Sequence, residues 1–268
     1  MNDPHVIALF YDIEHNDSVN YEKARPFVRD EPAFRVEVKD KKVCFKLKEH
    51  YSKKSEARKL IDKYIRVWEL DAGLKRGPDF FKLKFARAKI VDRNPTPGKK
   101  SVSATPVRLK ITTSVPAVTI APSDYPSPPS GLSIDPDHPD VQTMYDRYMH
   151  YRRGHEPLPG MAFFCLTILE DTAMAGTKGK FKENQKRQAA VEYYHIEEKV
   201  LKLVGKLSST KGGPLEARKR EGVHDGLTAQ ECRFLEEAVK KMIYRAAEKA
   251  NDPTKNLNQI TLSDLPSV

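Results

Sequence analysis

An arginine and a histidine stand six positions apart in the most basic loop of the second half of the chain. Arg218 and His224 lie shortly before a helix predicted to start at Thr228. A guanidinium holds phosphoryl oxygens in a fixed fork, and an imidazole exchanges protons near neutral pH. Amides at a helix start add anion binding. The pair suits metal-free RNA cleavage, in which the 2′-hydroxyl attacks the adjacent phosphate, and the neighbouring Lys219 and Arg220 would contact the nucleic acid. The alternative is a solvated basic loop.

A second set of basic residues alternates with apolar residues in the first half of the chain. Residues 34–100 hold 21 Lys or Arg against 9 Asp or Glu. On a sheet with one buried face, these alternating cations must all point to solvent. The residues expected on this surface are Arg35, Lys39, Lys46, Lys48, Lys82 and Lys84. Their surface is either a nucleic-acid platform or a solubilising face. The aromatic residues of these strands alternate onto the core face, which favours the solubilising face.

Composition narrows the class of protein. The chain has 268 residues, 39% hydrophobic and 31% charged, with a net charge of +10. That charge favours polyanionic partners without specifying one. No apolar run reaches the length of a membrane helix and the N-terminus lacks signal-peptide features, so we expect a cytoplasmic protein with no membrane association.

Signatures of other chemistries are missing from the sequence. Cys44, Cys165 and Cys232 form no paired motif, so neither a zinc site nor a disulfide scaffold is expected. The chain has no GxxxxGK[ST], GxGxxG, HExxH or GxSxG motif. We therefore expect no metal and no cofactor.

The elements that must position these residues fall into two groups. Alternation predicts a hairpin over residues 34–48 and strands over 81–85 and 107–111, with weaker candidates at 6–13 and 115–120. Helical spacing predicts one helix over 52–71, ending before Gly73. The first 121 residues are thus predicted to form a basic, mainly antiparallel β domain with one helix.

The second half is predicted to be helical. Residues 95–139 contain 10 of the 19 prolines, which predicts a Pro-rich linker over 122–139. Apolar spacing then predicts helices over 140–153, 159–175 and 184–207, and Thr228 to Glu231 reads as the capping box of a last helix. We expect an α-helical bundle over 140–250, followed by a loosely ordered tail over 251–268. The fold class is α+β.

Residues 140–250 resemble the HEPN superfamily, particularly the C-terminal domains of bacterial abortive-infection proteins. Those domains are helical bundles that carry an Arg, four to six residues, then a His, shortly before a last amphipathic helix. Arg218, His224 and the helix from Thr228 fit that order. The resemblance implies a metal-independent endoribonuclease in phage defence or a toxin–antitoxin setting. It also implies a homodimer and a protein partner within the defence system.

Three functions therefore remain open from the sequence. The first is the HEPN-like ribonuclease, in which Arg218 binds the scissile phosphate and His224 assists proton transfer. The second is a non-enzymatic protein that binds nucleic acid on the basic sheet face. The third is a scaffold or assembly subunit of a bacterial or phage complex, whose charge keeps it soluble.

Overall fold

A computed structural model describes residues 3–94, 121–131, 133–176, 179, 181–211 and 226–268. The chain divides into two compact units, Met1–Pro129 and Ser130–Val268. The first unit contains an antiparallel sheet with one long helix, and the second is helical, which confirms the predicted α+β class.

The sheet of the first unit has five strands in the order β2-β3-β4-β1-β5. They are β1 (Pro4–Glu14), β2 (Phe27–Asp30), β3 (Phe34–Lys39), β4 (Lys42–Leu47) and β5 (Lys82–Asp92). The predicted hairpin is β3–β4, closed by Asp40 and Lys41 at φ of 52° and 58°, the left-handed pair that a two-residue hairpin turn requires. The candidate strand at 6–13 is β1 and lies between β4 and β5. The predicted strands at 107–111 and 115–120 lie outside the described residues.

Helix α1 (Lys54–Arg76) covers the inner face of this sheet. Ile61, Ile65 and Trp68 join the core formed by the inward residues of the strands. The helix continues past the predicted end at residue 71. Gly73 is a buried helical residue, and the chain leaves the helix at Gly77, where φ is 103°. The helix is still buried beyond Gly73, and the free energy gained by that burial outweighs the weak helix propensity of glycine.

The Pro-rich stretch predicted as a linker divides between the two units. Tyr125 stacks on Tyr21 at 5.1 Å, and the indole Nε1 of Trp68 donates a hydrogen bond to the carbonyl oxygen of Pro126. Residues around Tyr125 are therefore packed within the first unit, against the segment after β1 and against α1. Ile134 is buried in the second unit.

The second unit contains five α-helices within its described residues. They are α2 (Pro139–Arg152), α3 (Leu158–Ala173), α4 (Glu183–Tyr194), α5 (Glu198–Thr210) and α6 (Ala229–Asn251). Helix α3 packs against α2, α4, α5 and α6, as expected for the most apolar segment. The capping box at Thr228 is present. No helix within the described ranges is long and apolar enough to cross a membrane.

The single helix predicted over 184–207 is wrong, because the chain breaks between α4 and α5. His195 adopts φ of 51°, and Ile196 forms a parallel bridge with Ile260. The residues after Asn251 are also held more firmly than expected. Leu257, Ile260 and Leu265 are buried, and a short 3₁₀ turn covers Leu262–Asp264. The break between α4 and α5 is thus stabilised by contact with the tail, which lies far away in sequence, and the tail is held by the same contact.

Candidate nucleic-acid interface

The outer face of the sheet carries the charged half of each alternating strand. Within the described residues, basic side chains on this face outnumber acidic ones two to one. The basic ones are Arg35, Lys39, Lys42, Lys46, Lys82, Lys84, Arg87 and Lys89, and the acidic ones are Asp12, Glu14, Asp30 and Glu37. The structure places all five sheet residues predicted to bind nucleic acid, Arg35, Lys46, Lys48, Lys82 and Lys84, at exposed positions.

Each of the five has an acidic neighbour. Glu37 lies 3.3 Å from Arg35 and 2.7 Å from Lys46. The remaining three pairs are Lys48–Asp30 at 3.5 Å, Lys82–Asp79 at 3.6 Å and Lys84–Glu14 at 2.6 Å. Exposed pairs of this kind contribute little stability, but they do neutralise the charge that a phosphate would meet.

Three cations of the same face form no such pair, although Asp12 lies opposite Lys42 in the β1–β4 register. Lys42, Arg87 and Lys89 form no ion pair within the part of the chain that the structure describes. The guanidinium of Arg87 lies over the ring of Phe10, 4.1 Å from its centroid. We call Phe10, Lys42, Arg87 and Lys89 the stacking patch. Its cations, unlike the residues predicted from the sequence, are not held in ion pairs within the described chain.

The β1–β5 pairing has two irregularities, and the second one brings Arg87 and Lys89 to the outer face. Ile7 is an extra residue on β1, between the Val6–Ile90 and Ala8–Lys89 pairs. Ala86 is an extra residue on β5, between the pairs that Phe85 and Arg87 make with β1. A bulge shifts the alternation by one residue, so Arg87 points outward although strict alternation from Phe85 would send it to the core.

The centre of the patch is apolar and built from small side chains. Two rows of residues run across β4, β1 and β5 in register. One row is Lys46–Ala8–Lys89 and the other is Cys44–Phe10–Arg87. Burial raises the pKa of the half-buried Cys44 thiol, which therefore stays neutral at physiological pH. Phe10 thus lies beside two small uncharged side chains, which form the floor of the patch, with cations on both flanking strands.

The predicted catalytic residues Arg218 and His224, with Lys219 and Arg220, lie outside the described residues. The described chain resumes at Gly226, two positions after His224 in the sequence. Gly226 and Leu227 line a cleft of about 650 Å³ in the second unit. Its other walls come from the end of α2, the connection to α3 with His155 and Glu156, the start of α3, and Cys232 on α6.

This cleft contains groups that can exchange protons. His155 is exposed, and Glu156 forms an ion pair with Arg147 at 3.0 Å. Burial raises the pKa of Glu156 above its ordinary value despite that pairing, and its Oε2 is buried with no hydrogen-bond partner. A carboxyl group in such surroundings holds its proton to higher pH, as a general acid must.

The fold and the outer sheet face together define an α+β protein with a partly uncompensated cationic surface. No group of three or more potential metal ligands occurs among the residues that could be placed. No protein family, curated protein or solved structure matches this chain.

Sequence reasoning missed all four members of the stacking patch. Lys42 was visible as part of the hairpin turn, whereas Arg87 and Lys89 are one position out of phase with the alternating Lys82 and Lys84. The bulge that turns Arg87 outward, and the partners that neutralise the other cations, depend on strands that are distant in the chain.

Proposed function

We propose that this protein binds nucleic acid on the outer face of its sheet. The observation that carries the proposal is the stacking patch, in which three cations without ion pairs surround a partly exposed aromatic ring. A sugar–phosphate backbone would lie along these cations, and its bases would reach the floor between them. The net charge of +10 assists association at long range.

Removing the three unpaired charges tests this function. The variant Lys42→Gln, Arg87→Gln, Lys89→Gln is compared with the wild type by fluorescence anisotropy on a labelled 20-nucleotide RNA over a salt series. Each lost phosphate contact lowers the slope of log K against log salt by about 0.7 for a single strand, so the slope should fall by about 2.

Helix α1 offers a matched control on the opposite side of the same unit. Lys53, Lys59 and Lys63 are exposed there, and replacing all three with Gln removes the same charge. If the control lowers affinity and salt slope as much as the patch variant does, binding follows net charge alone and the patch has no special role. If the wild type does not bind RNA at physiological salt, the function is wrong, and a scaffold role becomes the leading alternative.

A second function, metal-independent ribonuclease activity, is favoured by the cleft of the helical unit. His155 and the partly desolvated Glu156 line this cleft together with Gly226, which follows Arg218 and His224 closely in sequence. In this proposal Arg218 binds the scissile phosphate and His224 moves a proton, as in the HEPN resemblance. A homodimer and a partner from a defence system belong to the same proposal.

Cleavage of labelled single-stranded RNA in EDTA tests the second function. The wild type should cut, His224→Ala and Arg218→Ala should not, and all three should retain RNA binding on the sheet. Equal cleavage by wild type and variants would exclude these residues as the catalytic pair. Sedimentation of the same samples measures whether the chain dimerises.

A further inference from the structure

We propose that Phe10 and Arg87 form a base-stacking site that makes the sheet selective for single-stranded nucleic acid. The inference rests on the proposed nucleic-acid function and adds to it a ligand class and a contact. Its structural basis is the register of the three central strands.

Small side chains border Phe10 on two sides, and Arg87 lies over its ring. The neighbours of Phe10 across the sheet are Cys44 and Arg87, and the next outward residue along β1 toward the N-terminus is Ala8. Because Ala8 and Cys44 have small side chains, Arg87 is the only long side chain among these three neighbours. A base can stack on the guanidinium where it lies, or on the ring of Phe10 after Arg87 swings toward a phosphate.

The cations are spaced to hold a backbone on either side of that floor. Lys46 and Lys89 flank Ala8, and the two outer strands lie about 10 Å apart because neighbouring strands are separated by about 4.8 Å. Lys46 forms an ion pair with Glu37, which weakens its attraction for a phosphate. The stronger phosphate contacts therefore come from Arg87 and Lys89 on β5.

Single-strand preference follows from the chemistry of the ring. In a duplex each base is paired and covered by its neighbours, so a side chain on this face has no free base face to stack on and contacts mainly phosphates. An unpaired strand offers the same phosphates and, in addition, free base faces. Stacking on one aromatic side chain changes affinity by about 5- to 150-fold.

The test compares Phe10→Leu with the wild type on single-stranded and duplex RNA of equal length. Leucine retains an apolar side chain but removes the aromatic face. A matched control exists in the helical unit, where the guanidinium of Arg147 lies 3.9 Å from the ring centroid of Phe164. Phe10→Leu should weaken single-strand binding by about 5-fold or more and leave duplex binding unchanged, whereas Phe164→Leu should change neither.

A tryptophan at position 10 gives a direct signal. Trp68 is the single tryptophan of the chain and is fully buried, so the emission added by Phe10→Trp comes from the patch. Oligouridine should quench that emission and bind this variant at least as tightly as the wild type.

The outcomes separate the two proposals. Unchanged single-strand affinity in Phe10→Leu, together with no quenching in Phe10→Trp, would overturn the stacking site. The binding function would still stand if the triple charge variant loses affinity. A wild type that binds neither form of RNA would overturn both.

Discussion

The buried ion pair between Glu170 on α3 and Arg187 on α4 offers the sharpest test of the helical unit. The two side chains are only 9% and 10% exposed, and the guanidinium also donates a hydrogen bond to the carbonyl oxygen of Leu201 on α5 at 3.2 Å. Arg187 therefore connects three helices. Burial raises the pKa of Glu170 against the opposing effect of Arg187, so desolvation outweighs the attraction between the charges.

Glu170→Gln should destabilise the second unit by about 3 kcal/mol. Breaking a buried pair by removing one partner costs about 3–5 kcal/mol, because it leaves an uncompensated charge. The lower end of this range applies here, because glutamine retains a hydrogen-bond acceptor. The mostly exposed Glu183 also lies 3.5 Å from Arg187 and partly compensates its charge. With a urea m-value of about 2 kcal/mol/M, the midpoint should fall by about 1.5 M.

Urea denaturation followed by two spectroscopic probes in one sample measures this shift of the midpoint. Helical circular dichroism reports mainly on the second unit, whereas fluorescence of Trp68 reports on the first. Only the former transition should move. The double variant Glu170→Leu, Arg187→Met removes both charges and should be more stable than Glu170→Gln. An unchanged midpoint in Glu170→Gln, or a double variant that is less stable still, would refute the reasoning.

Three further predictions concern the same unit. Gly205→Ala should destabilise by about 1–2 kcal/mol in urea melts, because the added Cβ would lie 2.9 Å from a guanidinium nitrogen of Arg187; Arg187→Met should relieve the loss. The ion pair with Lys211 and the capping hydrogen bond lower the pKa of Glu231, so its contribution is present above the ordinary value of 4.5 and is lost as the pH falls through the lowered one. Glu231→Gln should therefore reduce stability at pH 7 and flatten its acid dependence, measured as urea midpoints from pH 7 to pH 3. Truncation after Asn251 should lower the thermal midpoint of the helical transition, because it removes three buried apolar side chains; an unchanged midpoint would contradict the packing of the tail.

Local sequence signals predicted the fold class and several elements. The hairpin over 34–48 is dictated by alternation and a short polar turn, and the last helix by its capping box. These signals act within a few residues, so the sequence contains them completely. Gly73 shows their limit, since a glycine that reads as a helix end lies inside a buried helix.

The candidate site was only partly predictable. Alternation correctly places Arg35, Lys46, Lys82 and Lys84 on an exposed face, and it cannot show that each has an acidic partner. It also predicts the wrong face for Arg87, because one extra residue in β5 reverses the alternation. The ribonuclease residues Arg218 and His224 stay a prediction from sequence.

The sequence by itself determined the α+β class, the hairpin, the cap of α6 and the excess of positive charge, because each is a property of residue types at short spacing. Tertiary structure decided where α4 ends and α5 begins, how the tail is held, and which cations are uncompensated. Each of these depends on partners far apart in the chain, such as Ile196 with Ile260 or Phe10 with Arg87. Burial and register select such partners, and no local pattern encodes them.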